Sequence, residues 1–91
     1  MADIESSLPS GNFDTAGQPV RSSAELGALL RTHRKQQALT QLDMAGLGNT
    51  GNRFIVELEN GKPTVQLQKV LDLVHLLGLE LVLRPKAGKG C

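Results

Sequence analysis

Few side chains among these 91 residues could carry out covalent chemistry. The single cysteine, Cys91, has no neighbouring base to take its proton, so it lacks the activation that a thiolate nucleophile needs. One cysteine also cannot close an internal disulfide or anchor a metal cluster, which fits a reducing, cytoplasmic setting. His33 and His75 fall in different segments with no Cys or carboxylate at metal-ligand spacing. Glu57 with Glu59, and Asp72 with Glu80, invite a reading as paired acids, but no nucleophile or phosphate cradle accompanies them. The expectation is a non-enzyme with no catalytic residue, no metal and no cofactor.

Binding chemistry is better represented. From about Asn52 to Glu59, Ile55 and Leu58 stand at helical spacing and face inward, which turns Asn52, Arg53, Val56 and Glu57 outward. Asn60–Gly61–Lys62–Pro63 ends this helix, and Gly48–Asn49–Thr50–Gly51 breaks the chain before it. Asn49 there is a residue that tolerates the left-handed conformation of a sharp helix exit. Thr40 can cap a helix of about two turns that reaches Leu47. A capped short helix, a turn and a second short helix with outward polar residues is the arrangement that seats a recognition helix in the major groove of DNA.

The remaining elements must hold this unit. Ser22 and Glu25 form a capping box for a first helix from about Ser23 to Gln36, with Leu26, Leu29, Leu30 and His33 at helical spacing. Thr64 is expected to cap a fourth helix whose core stripe is Val70, Leu71, Val74 and Leu77, ending at Gly78. Leu73 and Leu76 then lie off that stripe and call for cover from elsewhere. Leu79–Glu80–Leu81–Val82–Leu83–Arg84 alternates with period two and stops at Pro85, as a strand does. A lone strand leaves its N–H and C=O groups unpaired, so pairing with its copy in a two-fold homodimer is the simplest solution. Leu73, Leu76, Leu79, Leu81, Val82 and Leu83 are the expected dimer interface.

Composition agrees with a small helical protein. Hydrophobic residues make up 40% of the chain and aromatics 2%, so the core must be aliphatic. The net charge is +1, but residues 1–20 carry Asp3, Glu5 and Asp14 with no Lys or Arg, which leaves the rest at +4 and open to a polyanionic partner. The expected organisation is a flexible acidic arm over 1–20, a DNA-binding domain over 21–78, a dimerisation strand over 79–85 and a flexible tail over 86–91. No apolar run reaches the roughly 20 residues of a membrane span.

Leu39–Thr40–Gln41, Ala45, Ile55 and Leu58–Glu59–Asn60–Gly61–Lys62 recur at the spacing of the lambda and 434 repressor-like helix-turn-helix family, and the resemblance runs from Ser23 to Leu77. Gly51 to Glu59, Gly61–Lys62–Pro63–Thr64 and Leu77–Gly78–Leu79–Glu80–Leu81 are similar to the HipB-type antitoxins within it. Asn49, Thr50 and Val56 depart from the usual Gly, aliphatic residue and Ser. The resemblance implies a mainly α bundle of four to five helices, with a C-terminal β-strand pairing across a homodimer. It places Asn52 and Arg53 at base edges, and Gln41 and Asn60 at phosphates. Arg can give guanine two parallel hydrogen bonds, and Asn can do the same for adenine. Glu57 is a further base-contact candidate through a cytosine amine. The amides at Gly51, with Lys62 and Lys35, would add phosphate attraction. Arg34 and Glu59 are implied as a structural ion pair. The implied partners are operator DNA and a HipA-like serine/threonine kinase toxin. A stand-alone repressor or restriction–modification controller shares every DNA-binding feature and is the alternative.

Overall fold

The computed structural model describes residues 17–86, so the arm ahead of residue 17 and the tail from 87 to 91 lie outside the described residues. Four helices follow one another: α1 (Ser23–Gln36), α2 (Gln41–Leu47), α3 (Asn52–Glu59) and α4 (Leu67–Leu76). Ser22 caps α1 by accepting the Glu25 N–H, while the Glu25 carboxylate accepts the Arg21 N–H, one residue earlier than a reciprocal box requires. Thr40 and Asp43 do form the reciprocal box at α2, Thr40 Oγ1 accepting the Asp43 N–H at 3.0 Å and Asp43 Oδ2 accepting the Thr40 N–H at 2.8 Å. The Thr40 backbone N–H, followed by the Thr40 side chain, holds the Asp43 carboxyl below the usual aspartate range.

All four helices close in the same way. Ala38, Asn49, Gly61 and Gly78 take positive φ just past the helix ends, at 58°, 54°, 86° and 80°. At each one, paired N–H groups return to the last turn, as in Leu79 N–H to Val74 O at 3.0 Å and Gly78 N–H to His75 O at 2.9 Å. The chain thus reverses in few residues, which lets helices of 7 and 8 residues pack against their neighbours.

Leu30, Met44, Ala45, Ile55, Leu58, Val70, Leu73, Val74 and Leu77 form one buried core drawn from every helix, with Leu26, Leu39, Phe54, Val65 and Leu79 packed around it. Three expectations are corrected here. The core face of α4 is Val70, Leu73, Val74 and Leu77: more than one apolar stripe fits the helical period here, and the helices packed against α4 select the one that carries Leu73. Leu73 therefore belongs to the core of its own chain, not to a dimer interface, and Leu71 takes the outer position. Thr64 does not cap α4: residues 63–65 turn, Val65 packs on the core, and the helix starts after Gln66, with no side-chain cap.

Residues 79–86 form no strand, since a ladder needs a second strand and the described part of this chain offers none. Leu79 is half-buried against the core, so it is largely taken up within the chain as well. Among the described residues no helix is long and apolar enough to cross a membrane.

A buried ion pair ties the bundle together at its centre. Arg34 on α1 meets Glu59 on α3 through Nε to Oε2 at 2.6 Å and Nη2 to Oε1 at 3.1 Å, with side-chain exposures of 7% and 5%. Arg34 Nη1 also donates to the Leu39 carbonyl at 2.6 Å, and Gln41 Nε2 donates to Glu59 Oε1 at 3.0 Å. One guanidinium and one carboxylate thereby join α1, the α1–α2 turn, the start of α2 and the end of α3. The crossing of α1 over α3 is so close that a Cβ on Gly27 would lie 2.3 Å from the Leu58 carbonyl oxygen.

Two outcomes follow for stability. Glu59→Ala leaves a buried guanidinium without its carboxylate and should cost about 3–5 kcal/mol in urea unfolding, most of it recovered when Arg34→Met is added; a loss under about 1 kcal/mol would show that the pair is not a brace. Gly27→Ala inserts a methyl against backbone that cannot yield like a side chain. It should lower stability by about 1–3 kcal/mol, read as a drop in thermal midpoint by circular dichroism.

Candidate nucleic-acid interface

The functional surface starts from what α2 and α3 leave uncovered. With its inner residues in the core and Glu59 locked to Arg34, α3 has little rotational freedom. Its first residues point away: Gly51, Asn52 and Arg53 are all exposed, and the Arg53 side chain is 88% accessible. Gly51 occupies the N-cap position without a side chain to bond the first-turn amides. That end of α3 accordingly presents backbone donors, an amide and a guanidinium, a set suited to phosphate and base-edge acceptors.

Further along α3 the structure departs from the sequence reading. Val56 and Glu57 are half-buried instead of fully outward. Glu57 Oε2 lies 3.1 Å from Arg53 Nε, and its Oε1 lies 3.3 Å from Lys62 Nζ. The Lys62 ammonium, followed by the Arg53 guanidinium, holds the Glu57 carboxyl below the ordinary glutamate value against an opposing effect of desolvation. Both oxygens of this carboxylate are engaged within the chain, one by Arg53 and the other by Lys62.

The remaining candidates divide by location. Asn60 and Lys62 are exposed just past α3, and Lys62 is fixed there by its own N–H to the Glu57 carbonyl at 3.0 Å. Ser23 Oγ donates to the Gly61 carbonyl at 2.8 Å and pins the same turn to the start of α1. Gln41 is half-buried with its amide nitrogen given to Glu59, so its amide serves the brace between α2 and α3. Lys35 is exposed in the last turn of α1, and none of the described contacts joins it to the α3 cluster.

Sequence reasoning missed Lys69 on α4, whose Nζ stands 5.5 Å from the centroid of the Phe54 ring and adds a cation beside α3. Nothing in the spacing marks that contact, since the two residues belong to different helices. Among the described residues no group of three or more His, Cys, Asp or Glu side chains could hold a metal ion.

Comparison with known proteins fits this geometry. Residues 25–87 match the model of a helix-turn-helix domain family. The chain is 47% identical over 62 residues to an uncharacterized HTH-type transcriptional regulator, y4mF, of Sinorhizobium fredii, covering 68% of this chain and 82% of that protein. Its fold is similar to that of the protein in a HipB-O4 20mer complex, with a TM-score of 0.69 and 22% identity over 75% of this chain and 96% of that one. A HipA-HipB-O2-O3 complex gives the same TM-score, identity and coverage. A braced pair of short helices, with the head of the second left open, and a matching family model covering most of the described residues lead to one assignment: this chain belongs to the helix-turn-helix family of transcriptional regulators.

Proposed function

We propose that this chain is a sequence-specific, cytoplasmic repressor that binds its own operator as a homodimer and acts as the antitoxin of a HipA-like kinase. The observation that carries the DNA-binding part is the exposed, uncapped head of α3 with Asn52 and Arg53, held at a fixed angle by the Arg34–Glu59 pair. Asn52 and Arg53 read base edges. Gly51 amides, Asn60 and Lys62 set the register on phosphates, and Lys35 adds salt-sensitive attraction.

The homodimer is supported by an apolar outer surface. Leu71, Leu76, Leu81, Val82 and Leu83 are exposed, Leu83 entirely so at 102%. Leu71, Val74, His75, Leu79, Glu80 and Leu81 line an open groove between α4 and the chain that follows it. Residues 79–83 of a second copy would supply the ladder partner that is missing among the described residues, and cover this surface.

The antitoxin role rests on the likeness to HipB, whose solved complexes include one with HipA. The second reading is a stand-alone repressor without a toxin, favoured by y4mF, whose name states transcription regulation and nothing more. Co-expression with the adjacent gene separates the two, since an antitoxin co-purifies with the kinase and a stand-alone repressor does not.

Arg53→Ala should weaken binding to the protein's own promoter duplex about 10- to 100-fold by fluorescence anisotropy while the melting temperature stays close to that of the wild type. Absent binding, or binding unchanged by the substitution, would overturn the assignment of α3. Leu81→Asp should shift the sedimentation coefficient from dimer to monomer; a dimer that persists would refute the paired-strand arrangement.

A further inference from the structure

The Arg53–Glu57 pair is oriented against the interest of the helix that carries it. Arg53 sits in the first turn of α3 and Glu57 near its end, so the positive charge meets the positive pole of the helix dipole and the negative charge the negative pole. A Glu-to-Lys order at this spacing stabilises a helix better than the reverse. Helix stability therefore gives no reason for this arrangement, and Lys62 adds to the puzzle. It is bound to Glu57 twice, by its side chain at 3.3 Å and by its backbone N–H at 3.0 Å, although the turn closure needs only the second.

We propose that Glu57 is a positioning residue for DNA recognition: its carboxylate holds the Arg53 guanidinium by Nε and the Lys62 ammonium beside it, and reads no base itself. This rests on the DNA-binding reading above. A guanidinium can fork onto guanine O6 and N7 either side-on, through Nε and one Nη, or end-on, through both Nη groups. With Nε occupied by Glu57 Oε2, only the end-on fork is open, and the long side chain is restricted before DNA arrives. A guanidinium restrained in this way loses less freedom on binding and discriminates more sharply. The carboxylate also opposes the phosphates whatever the sequence, which lowers affinity for any duplex alike. The restraint on Arg53 is what raises specificity, and it does not require Glu57 to touch the DNA.

The test is a double-substitution cycle with the full chain, using the wild type, E57Q, R53A and the double variant. The probes are a duplex from the protein's own promoter and a scrambled duplex of the same composition. Circular dichroism checks that each variant is folded. E57Q should lower the ratio of promoter to scrambled affinity about tenfold, while the loss of its charge raises affinity for both duplexes alike. The double variant should have a ratio no worse than R53A alone, and the G·C pair whose replacement the wild type feels should cease to matter in R53A and matter less in E57Q. Multiplying effects, with E57Q losing discrimination at a different base pair, would make Glu57 a direct reader and overturn the inference. An unchanged ratio in E57Q would reduce the pair to a surface contact and overturn it too. A wild type that does not distinguish the two duplexes would overturn the DNA-binding reading together with this one, whereas the previous two outcomes overturn this one alone.

Discussion

The Arg34–Glu59 pair is the interaction on which the rest of this bundle depends. Two charges this far from water are stabilising only when their geometry is good and their remaining hydrogen-bonding capacity is met. Here the second demand explains the local architecture. The third arm of the guanidinium takes the Leu39 carbonyl, and Glu59 Oε1 takes the Gln41 amide. Satisfying the pair thus fixes the turn between α1 and α2 and the start of α2, besides the end of α3. The angle between α2 and α3 follows from where one carboxylate must sit, and with it the direction in which Asn52 and Arg53 project.

Short helices make such a brace necessary. Helices of 7 and 8 residues lie below the length at which a helix is stable alone in water, so α2 and α3 exist because the core and their ends hold them. The repeated left-handed closure serves the same purpose by satisfying terminal carbonyls while reversing the chain. Gly61 and Gly78 adopt it freely, Asn49 with modest strain, and Ala38 against the preference of its Cβ. The Ala38 strain is supported from outside the closure: Leu39, the next residue, supplies the carbonyl for Arg34 and packs on the core, and Gln37 Nε2 donates to the Leu77 carbonyl at 2.8 Å.

The first three helices were legible from the sequence because their limits are written in local chemistry. Ser22, Thr40 and the Gly48–Gly51 and Asn60–Pro63 breakers act within a few residues of themselves. The start of α4 was not, since Thr64 has the right type for a cap and only the packing of Val65 reveals that the chain is still turning. The phase of α4 failed for a related reason. Leucines or valines at 70, 71, 73, 74, 76 and 77 allow more than one apolar stripe, and the choice falls to the helices packed against it. Within the site, the exposure of Asn52 and Arg53 follows from the positions of Ile55 and Leu58. The engagement of Glu57 by Lys62 does not, because it depends on how the turn at Gly61 brings the chain back. Ala38 gave no signal at all, as alanine is a helix former. Thr50 keeps its Oγ1 buried without a hydrogen-bond partner among the described residues.

The outer face of α4 and the reading head of α3 bear on one another through magnitude. In the proposed reading one protomer offers two side chains, Asn52 and Arg53, for base readout, each good pair being worth about 1–3 kcal/mol of discrimination. Their sum of about 2–6 kcal/mol falls largely short of the roughly 4–10 kcal/mol that separates specific from non-specific binding in typical regulators. Doubling by a two-fold axis brings the total into that range without any new residue on α3. The exposed leucines from 71 to 83 are a described apolar surface on which such an axis could be built, and residues 79–86 within and beside it belong to no helix or strand. In this scheme the specificity of the proposed repressor is set as much by the segment after Gly78, which touches no DNA, as by the recognition helix itself.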